Sequence, residues 1–507
     1  MTTDGTSSTP EPARPPEAAI HPEEDYPDTR NDLQRQADQG IGDEQSAALT
    51  DVGANPHSRI DTIINTIRAN RLALAGVALP DPPIQFDVLP RPGLPNQPNL
   101  GNMILVVRGE LLLRVPAGGA PGPGERPGAG GADDEYPTWQ RAHSLLLDLG
   151  YRQVSADFPP GLPLRRYLAA DRTAAELVAD RDRIRAETGA EVDLNYCVTA
   201  GHLVKADDYP RATTAHRCYP PEWIRRHRVH REVRVAVIDT GINHERRTDG
   251  WLTGIPQGAA NIDPLDVFPV TVVGGVIRRG DGLLDLSAGH GTFVAGCVEQ
   301  VAPASTIVVY RAVDTEGMGT SYDVANAIIQ AAEDGADIIH MSLGTMTVDD
   351  QPPLQFILAM DAAVRARPHV LVVASAGNTG LETPMFPAAM KGVVGVGALA
   401  ADLTPAPWSN HGFWLTCSAV GVGITSTFVE GTEPHTDAAG NVVTQHFGRD
   451  AWAIWSGTSF SAPQIAGAVA QRCQLNDVQP AVALSQLLAG RRTLSGYGLV
   501  VPILLGT

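Results

Sequence analysis

Cysteine is scarce in this chain, with five among 507 residues, at Cys197, Cys218, Cys297, Cys417 and Cys473. Their odd number and wide scatter argue against a disulfide framework, and no Cys-x-x-Cys pair or Cys/His cluster suggests a metal site. Positive charge is also in deficit. Lys and Arg total 38 against 57 Asp and Glu, a formal net charge of -19, which argues against non-specific nucleic-acid binding. No apolar run approaches the roughly 18 residues that a membrane helix needs. The opening stretch, MTTDGTSSTPEPARPPEAAI, lacks a basic start followed by an apolar core. The expectation is a soluble cytoplasmic protein with reduced thiols, with no membrane and no nucleic-acid partner; export without a cleaved signal stays open.

What is present is an ordinary globular composition, 43% hydrophobic, with many Gly (51) and Pro (40) and few aromatics. The length allows two or three domains and at least one large core. Residues 1–55 hold 12 Asp or Glu against 3 Arg, a polar and Pro-rich composition that reads as a disordered tail. Residues 56–101 read as a docking helix and linker, with Ile60, Ile63, Ile64 and Ile67 on one helical face. Residues 102–204 read as a small α+β domain. NMILVVRGELLLRV predicts a strand or hairpin, TWQRAHSLLLDLG and RTAAELVADRDRIRAETG predict helices stopped by Gly150 and Gly189, and EVDLNYCV alternates as a half-buried strand. That order suggests a helix-on-sheet unit of ferredoxin-like type. Residues 205–231 read as a polar, solvated linker ending in the basic run RRHRVHR.

After residue 232 the texture changes. VRVAVID, STIVVYR, ADIIHMS, HVLVVAS and GVVGVGA are short apolar runs rich in Val and Ile, and several are separated by helical stretches such as YDVANAIIQAAEDG. Strands buried on both faces and alternating with helices describe a mainly parallel α/β sheet with helices on both faces. Such sheets place their sites at the carboxyl ends of the strands.

Four short motifs lie at element ends. Asp239 closes the first strand in DTGIN. His290 stands between glycines in GHGTFVAG, Asn378 follows a strand in ASAGNTG, and Ser459 opens a helix in SGTSFSAP. Alone, each has a bland reading as a turn, a packed histidine or a helix cap. Together they supply what acyl transfer needs. A serine hydroxyl needs an imidazole to take its proton, and the imidazole needs a carboxylate to fix its tautomer. The tetrahedral oxyanion needs preorganised donors, which an Asn amide and a helix N-terminal N–H provide.

On these motifs, in the order Asp, His, Asn, Ser, residues 232–507 resemble the peptidase domain of a subtilisin-family serine protease, a subtilase. The resemblance implies a subtilisin-like fold and a serine endopeptidase that forms an acyl-enzyme on Ser459. By resemblance Asp239, His290 and Ser459 are the triad, and Asn378 with the Ser459 backbone forms the oxyanion hole. Gly317 and Gly319 in GMGT resemble backbone that pairs with an extended substrate. Ser342, Leu343 and Gly344 in MSLG, with Ala374, Ser375, Ala376 and Gly377 in ASAG, resemble two walls of the specificity pocket, and Met385 its floor. A protein or peptide substrate is implied. No cofactor and no metal is expected, since no calcium-ligand loop of the family can be matched. The 102–204 unit has the size of the family's propeptides, so it reads as a cleaved propeptide or a permanent accessory domain. A regulatory partner acting on the N-terminal region is one form that control could take. The rival from another class is a catalytically silent pseudoprotease that serves as a binding module. The long gap between Asp239 and His290 predicts an extra loop or hairpin within 246–288, and EGTEPHTDAAGNVVTQHFGRD (430–450) a second hairpin.

Overall fold

A computed structural model describes residues 32–54, 67, 68, 71, 83–91, 103–116, 135–154, 162–200, 209–213, 229–273, 276–436 and 442–504. In chain order the N-terminal part holds α1 (Asp32–Ala54), β1 (Phe86–Pro90), β2 (Met103–Arg114), α2 (Glu135–Asp148), β3 (Arg152–Gln153), β4 (Leu164–Leu168), α3 (Ala174–Thr188), β5 (Val192–Ala200) and β6 (Arg211–Ala212). The rest begins with β7 (Arg234–Asp239), β8 (Ile242–Asn243), β9 (Ile262–Asp263), β10 (Val270–Val273), β11 (Val276–Arg279), α4 (His290–Val301), β12 (Thr306–Arg311) and β13 (Met318–Thr320). It continues with α5 (Ser321–Glu333), β14 (Ile338–Met341), β15 (Leu343–Gly344), α6 (Leu354–Ala366), β16 (Leu371–Ser375), β17 (Val393–Leu399), β18 (Cys417–Val420) and β19 (Ile424–Thr427). It ends with β20 (Gly431–Thr436), β21 (Val442–Phe447), β22 (Trp452–Trp455), α7 (Thr458–Asn476), α8 (Pro480–Leu488), β23 (Thr493–Leu494) and β24 (Gly498–Val500).

The central sheet runs β12-β7-β14-β16-β17-β18-β24-β23, and every pairing except the final β23–β24 hairpin is parallel. The apolar runs lie where burial on both faces demands them. Val235 and Val237 pack towards α4 and α7 in one core, while Ala236 and Ile238 pack towards α5 and α6 in the other. That alternation makes the sheet the middle layer and aims the carboxyl ends of β7, β14 and β16 at one edge.

The N-terminal unit makes a second sheet. Its strands follow the order β5-β2-β4-β3, all antiparallel, with β1 on the free part of β2 and with α2 and α3 packed on one face. α3 is closed at both ends by local chemistry. Thr173 and Glu176 form a reciprocal capping box, and Gly189 at φ +73° ends it in the left-handed conformation.

This second sheet does not stop at the unit's edge. β5 also pairs antiparallel with β13 and β15 of the C-terminal part, so Cys197–Ala200 lies as a strand between them. Side chains from β5 also cap helices across the boundary. Asp193 Oδ2 accepts from Leu354 N at 3.0 Å, at the start of α6, whose Pro353 cap offers no side-chain acceptor. Asn195 Oδ1 accepts from Tyr322 N at 3.2 Å and Ser321 Oγ at 3.1 Å at the start of α5. Each such cap stabilises by about 1 kcal/mol, and removing one also leaves a buried donor without an acceptor.

Two expectations need correction. Part of the acidic tail expected to be disordered is helical over Asp32–Ala54. Among its described positions, the buried Asp38, Gly42 and Gln45 share one face, and Gln45 and Ser46 bond to the C-terminal part. Part of the expected solvated linker is also ordered, since β6 pairs with β22. Of the expected docking helix only Ile67 and neighbouring scattered residues are described; Ile67 is buried with Phe86, Met103, Leu105, Cys197 and Met318. Residues 1–31, Cys218 and the RRHR part of the basic run lie outside the described residues.

Candidate active site

β7 ends at Asp239, and Thr240 N at once turns back to donate to Asp239 Oδ1 at 2.7 Å. The same oxygen faces His290 Nδ1 at 2.7 Å. Both side chains are buried, at 0% and 2% exposure, so the pair is shielded from solvent screening. His290 opens α4 because GHG is needed there. Gly289 stands at φ +78°, and a Cβ at Gly291 would lie 2.2 Å from Gly241 O. Among the described residues, His290 Nε2 has no hydrogen-bond partner, and neither has the buried Ser459 Oγ.

Ser459 lies in the first turn of α7, where unpaired N–H groups and the helix dipole favour negative charge. Pro463, inside the same helix, lacks the N–H that would bond Ser459 O. Ser342 Oγ takes that place, donating to Ser459 O at 2.7 Å, and itself contacts His340 Nε2 at 2.7 Å. Burial pushes the His340 imidazole down to about 3, with the His290 charge adding to the effect. His340 is therefore neutral and serves this junction.

Asn378 follows β16 and presents its Oδ1 to Thr458 N at 2.8 Å and Thr458 Oγ1 at 2.7 Å. This fixes the amide beside the start of α7. Asn410 holds the same turn, its Oδ1 accepting from Thr379 N at 2.8 Å and Thr379 Oγ1 at 2.6 Å. The structure thus brings Asp239, His290, Asn378 and Ser459 to one edge of the central sheet. An imidazole backed by a carboxylate, beside a serine at a helix N-terminus and a fixed amide, can carry out nucleophilic acyl transfer.

The expected substrate-contact residues also have definite places. Gly319 pairs with Val198, and Gly344 with Thr199. Leu343 pairs with Ala200, whose N–H donates to Gly317 O at 2.8 Å. Ala374 and Ser375 close β16, and Ala376 and Gly377 make the turn to Asn378. Met385 lies between the two expected walls: a Cβ on Gly344 would meet its Cγ at 2.7 Å, and one on Gly377 its Cε at 3.0 Å.

Sequence reasoning missed several supporting residues. Asp263, 1% exposed, accepts from Thr240 Oγ1 at 3.0 Å and Gly289 N at 2.9 Å, joining the turn after Asp239 to the turn before His290. Burial raises its carboxyl to about 6 against these hydrogen bonds. Asp285 binds Val267 N and Thr315 Oγ1 and is raised to about 7, again by burial. Phe460 packs 5.5 Å from the His290 ring and 4.4 Å from Phe293. No local pattern marks these residues, because each acts through contacts far away in sequence.

The subtilase family model matches residues 230–489, just over half of the chain. The chain belongs to the subtilase family. Among its relatives, the thermophilic serine proteinase of Bacillus sp. (strain AK1) is 30% identical over 275 residues, covering 52% of this chain and 59% of that protein. Halolysin of Haloferax mediterranei is 27% identical, covering 49% of this chain and 43% of halolysin. Subtilisin DY of Bacillus licheniformis is 29% identical, covering 47% of this chain and 75% of the relative. The chain thus spans roughly half the length of the first two relatives. A solved protease from Pseudoalteromonas arctica is 25% identical, with a TM-score of 0.42, over 53% of this chain and 87% of that one. This subtilase carries two hairpins, β10–β11 between Asp239 and His290 in sequence and β20–β21 before α7. Among the described residues, no helix is long and apolar enough to cross a membrane.

Proposed function

We propose that the chain is a serine endopeptidase held latent by its own N-terminal region and matured by cutting itself. Ser459 is the nucleophile, His290 its general base and Asp239 the group that orients and stabilises the imidazolium. The Asn378 amide and the α7 N-terminus stabilise the oxyanion. Peptide or protein substrates pair as an added strand with Gly317–Gly319 and Ser342–Gly344. The N-terminal unit, which we read as a ferredoxin-like propeptide, occupies that place until it is cut.

The observation that carries this reading is the placement of β5. A strand that belongs to one sheet fills the edge between β13 and β15 that an extended substrate would use. The chain next described, from Tyr209, lies against β22, which runs directly into Ser456-Gly457-Thr458-Ser459. Because β5 ends on that edge at Ala200 and the chain from Tyr209 lies by the strand that leads to Ser459, we place the bond to be cut between Ala200 and Tyr209.

The test is to express the chain with and without Ser459→Ala, read intact mass and new N-termini, and treat each with a fluorophosphonate. The expected result is a wild-type cut within 200–209, an intact variant and labelling of Ser459. An unlabelled, uncut wild type would instead favour a binding module.

A further inference from the structure

The strand ladder is not the only grip of the N-terminal region on the peptidase part. Helix α1 lies against β22, on the far side of the interval that contains the proposed cut. Gln45, 2% exposed, sits at the centre of this contact. Its Nε2 donates to Tyr209 O at 2.9 Å and Ile454 O at 3.1 Å, and its Oε1 accepts from Ser456 Oγ at 2.8 Å. One side chain thus ties the segment beyond the cut to the cleft strand, three residues before Ser459.

The surrounding contacts form a built groove. Trp408 Nε1 donates to Ser46 Oγ at 3.1 Å, from an indole buried with Ala398, Ala406 and Val422. Arg211 pairs with Glu44 at 3.0 Å, and Thr213 Oγ1 contacts the buried Asp38 at 3.3 Å. The β20–β21 hairpin supplies the opposite wall: Gln445 Oε1 accepts from Ala212 N at 3.1 Å, and the Tyr209 ring stacks on His435 at 4.0 Å. Asp38, Gly42 and Gln45 fall on one face of α1 at i, i+4, i+7 spacing, so the helix presents a narrow polar ridge to this groove.

We propose that the groove of β22, Trp408 and the β20–β21 hairpin is a second binding site, whose occupant is α1 of the same chain. This rests on the functional reading above and adds a consequence to it. α1 and β5 both precede the cut, so they leave on one fragment. That fragment holds the enzyme on both sides of Ser459. Releasing either contact alone leaves the other to restore it at high effective concentration, so cutting does not free the cleft. Activity appears only once α1 is displaced.

The decisive variant is Gln45→Ala in the full chain. It should be cut at the same bond and to the same extent, while the N-terminal fragment dissociates about tenfold faster and the lag before peptidase activity shortens in step, as expected for one or two buried hydrogen bonds. Glu44→Arg should shorten the lag through repulsion with Arg211, and adding Arg211→Glu should restore it. In the uncut Ser459→Ala background, Gln45→Ala should raise hydrogen exchange at 452–456 and 211–213 but not at 318–320 or 343–344. Unchanged exchange there, or an unchanged lag with normal cutting, would overturn the second site. If the wild type is neither cut nor labelled at Ser459, the functional reading fails instead, and the exchange result still decides whether α1 is held.

Discussion

The two sides of the cleft are closed by different means. Before the proposed cut, β5 fills the edge between β13 and β15 through backbone pairing, and Asp193 and Asn195 cap two helices behind it. Beyond the cut, a short β6–β22 pairing is joined by side chains from α1 and an inserted hairpin, and Trp408 holds α1 in turn. A backbone ladder accepts almost any extended sequence, so the first side can serve inhibitor and substrate alike. The second side recognises specific residues, Gln45 above all, and is suited to hold this chain rather than a substrate.

The sharpest way to break this comparison is to remove the chemistry between the two sides. Ser459→Ala and His290→Ala should each abolish nearly all turnover and leave the chain continuous through the cleft, because nucleophile and base act as one unit. The double variant should be little worse than either single one. If kinetics with a peptide substrate showed additive losses, the two residues would not share a step. Asn378→Ala comes next. Its loss should lower kcat by about 10²–10³ with KM little changed, a range taken from a relative of this chain. Because Asn378 Oδ1 also holds Thr458, thermal unfolding must be measured beside the kinetics. A fall in Tm with near-normal kcat would make the residue a strut.

The same contrast explains what could be read before the fold was known. The strands of the central sheet were legible because burial on both faces leaves unbroken Val/Ile runs. Asp239, His290, Asn378 and Ser459 were legible because each stands in a glycine-marked turn or at a helix start, where small flanking residues have a steric cause. β5 was legible as a strand from its alternation, but it is buried on both faces rather than half-buried, and its continuation into β13 and β15 was not legible, since pairing partners leave no local trace. α1 was illegible for a different reason. Among its described positions the buried ones are Asp38, Gly42 and Gln45, in an acidic stretch that reads as solvated. Asp263 was hidden likewise, its importance coming from Thr240 and Gly289.

A smaller effect concerns the pocket on the non-primed side. Met385 lies between Gly344 and Gly377, and the expected outcome is a preference for Ala, Val or Leu in a shallow pocket there. Met385→Gly should open it and shift cleavage towards Phe and Tyr. One methylene in such a pocket changes kcat/KM by about 10–200-fold, so the change should be graded across a peptide library. Wild-type cleavage chiefly after aromatic or basic residues would sink this assignment.

The smallest effect tests whether the non-primed side carries its own acid sensitivity. His340 ends the path that leads through Ser342 to Ser459 O, and burial holds its imidazole down to about 3. An unfolded chain would protonate this histidine near pH 6.5, so the unfolded state binds the extra proton first. The stability tied to neutral His340 is therefore fully present above about pH 6.5 and is lost as the pH falls towards about 3. Asp263 and Asp285 act with the opposite sign, because their raised carboxyls take up protons while still folded, at about 6 and about 7. The two kinds of group partly cancel in a simple acid titration, so only a difference curve isolates the histidine. Urea unfolding of the Ser459→Ala chain, with and without His340→Gln, supplies it. At neutral pH the His340→Gln chain should be the less stable, having lost the fit around Ser342. As the pH drops below about 6.5, the gap should close by up to about 1.4 kcal/mol per unit, because only the chain that retains His340 is losing this contribution. A gap that stays constant between neutral and mildly acid pH would mean that His340 is not held neutral by its burial, and the non-primed side would then have no acid sensitivity of its own.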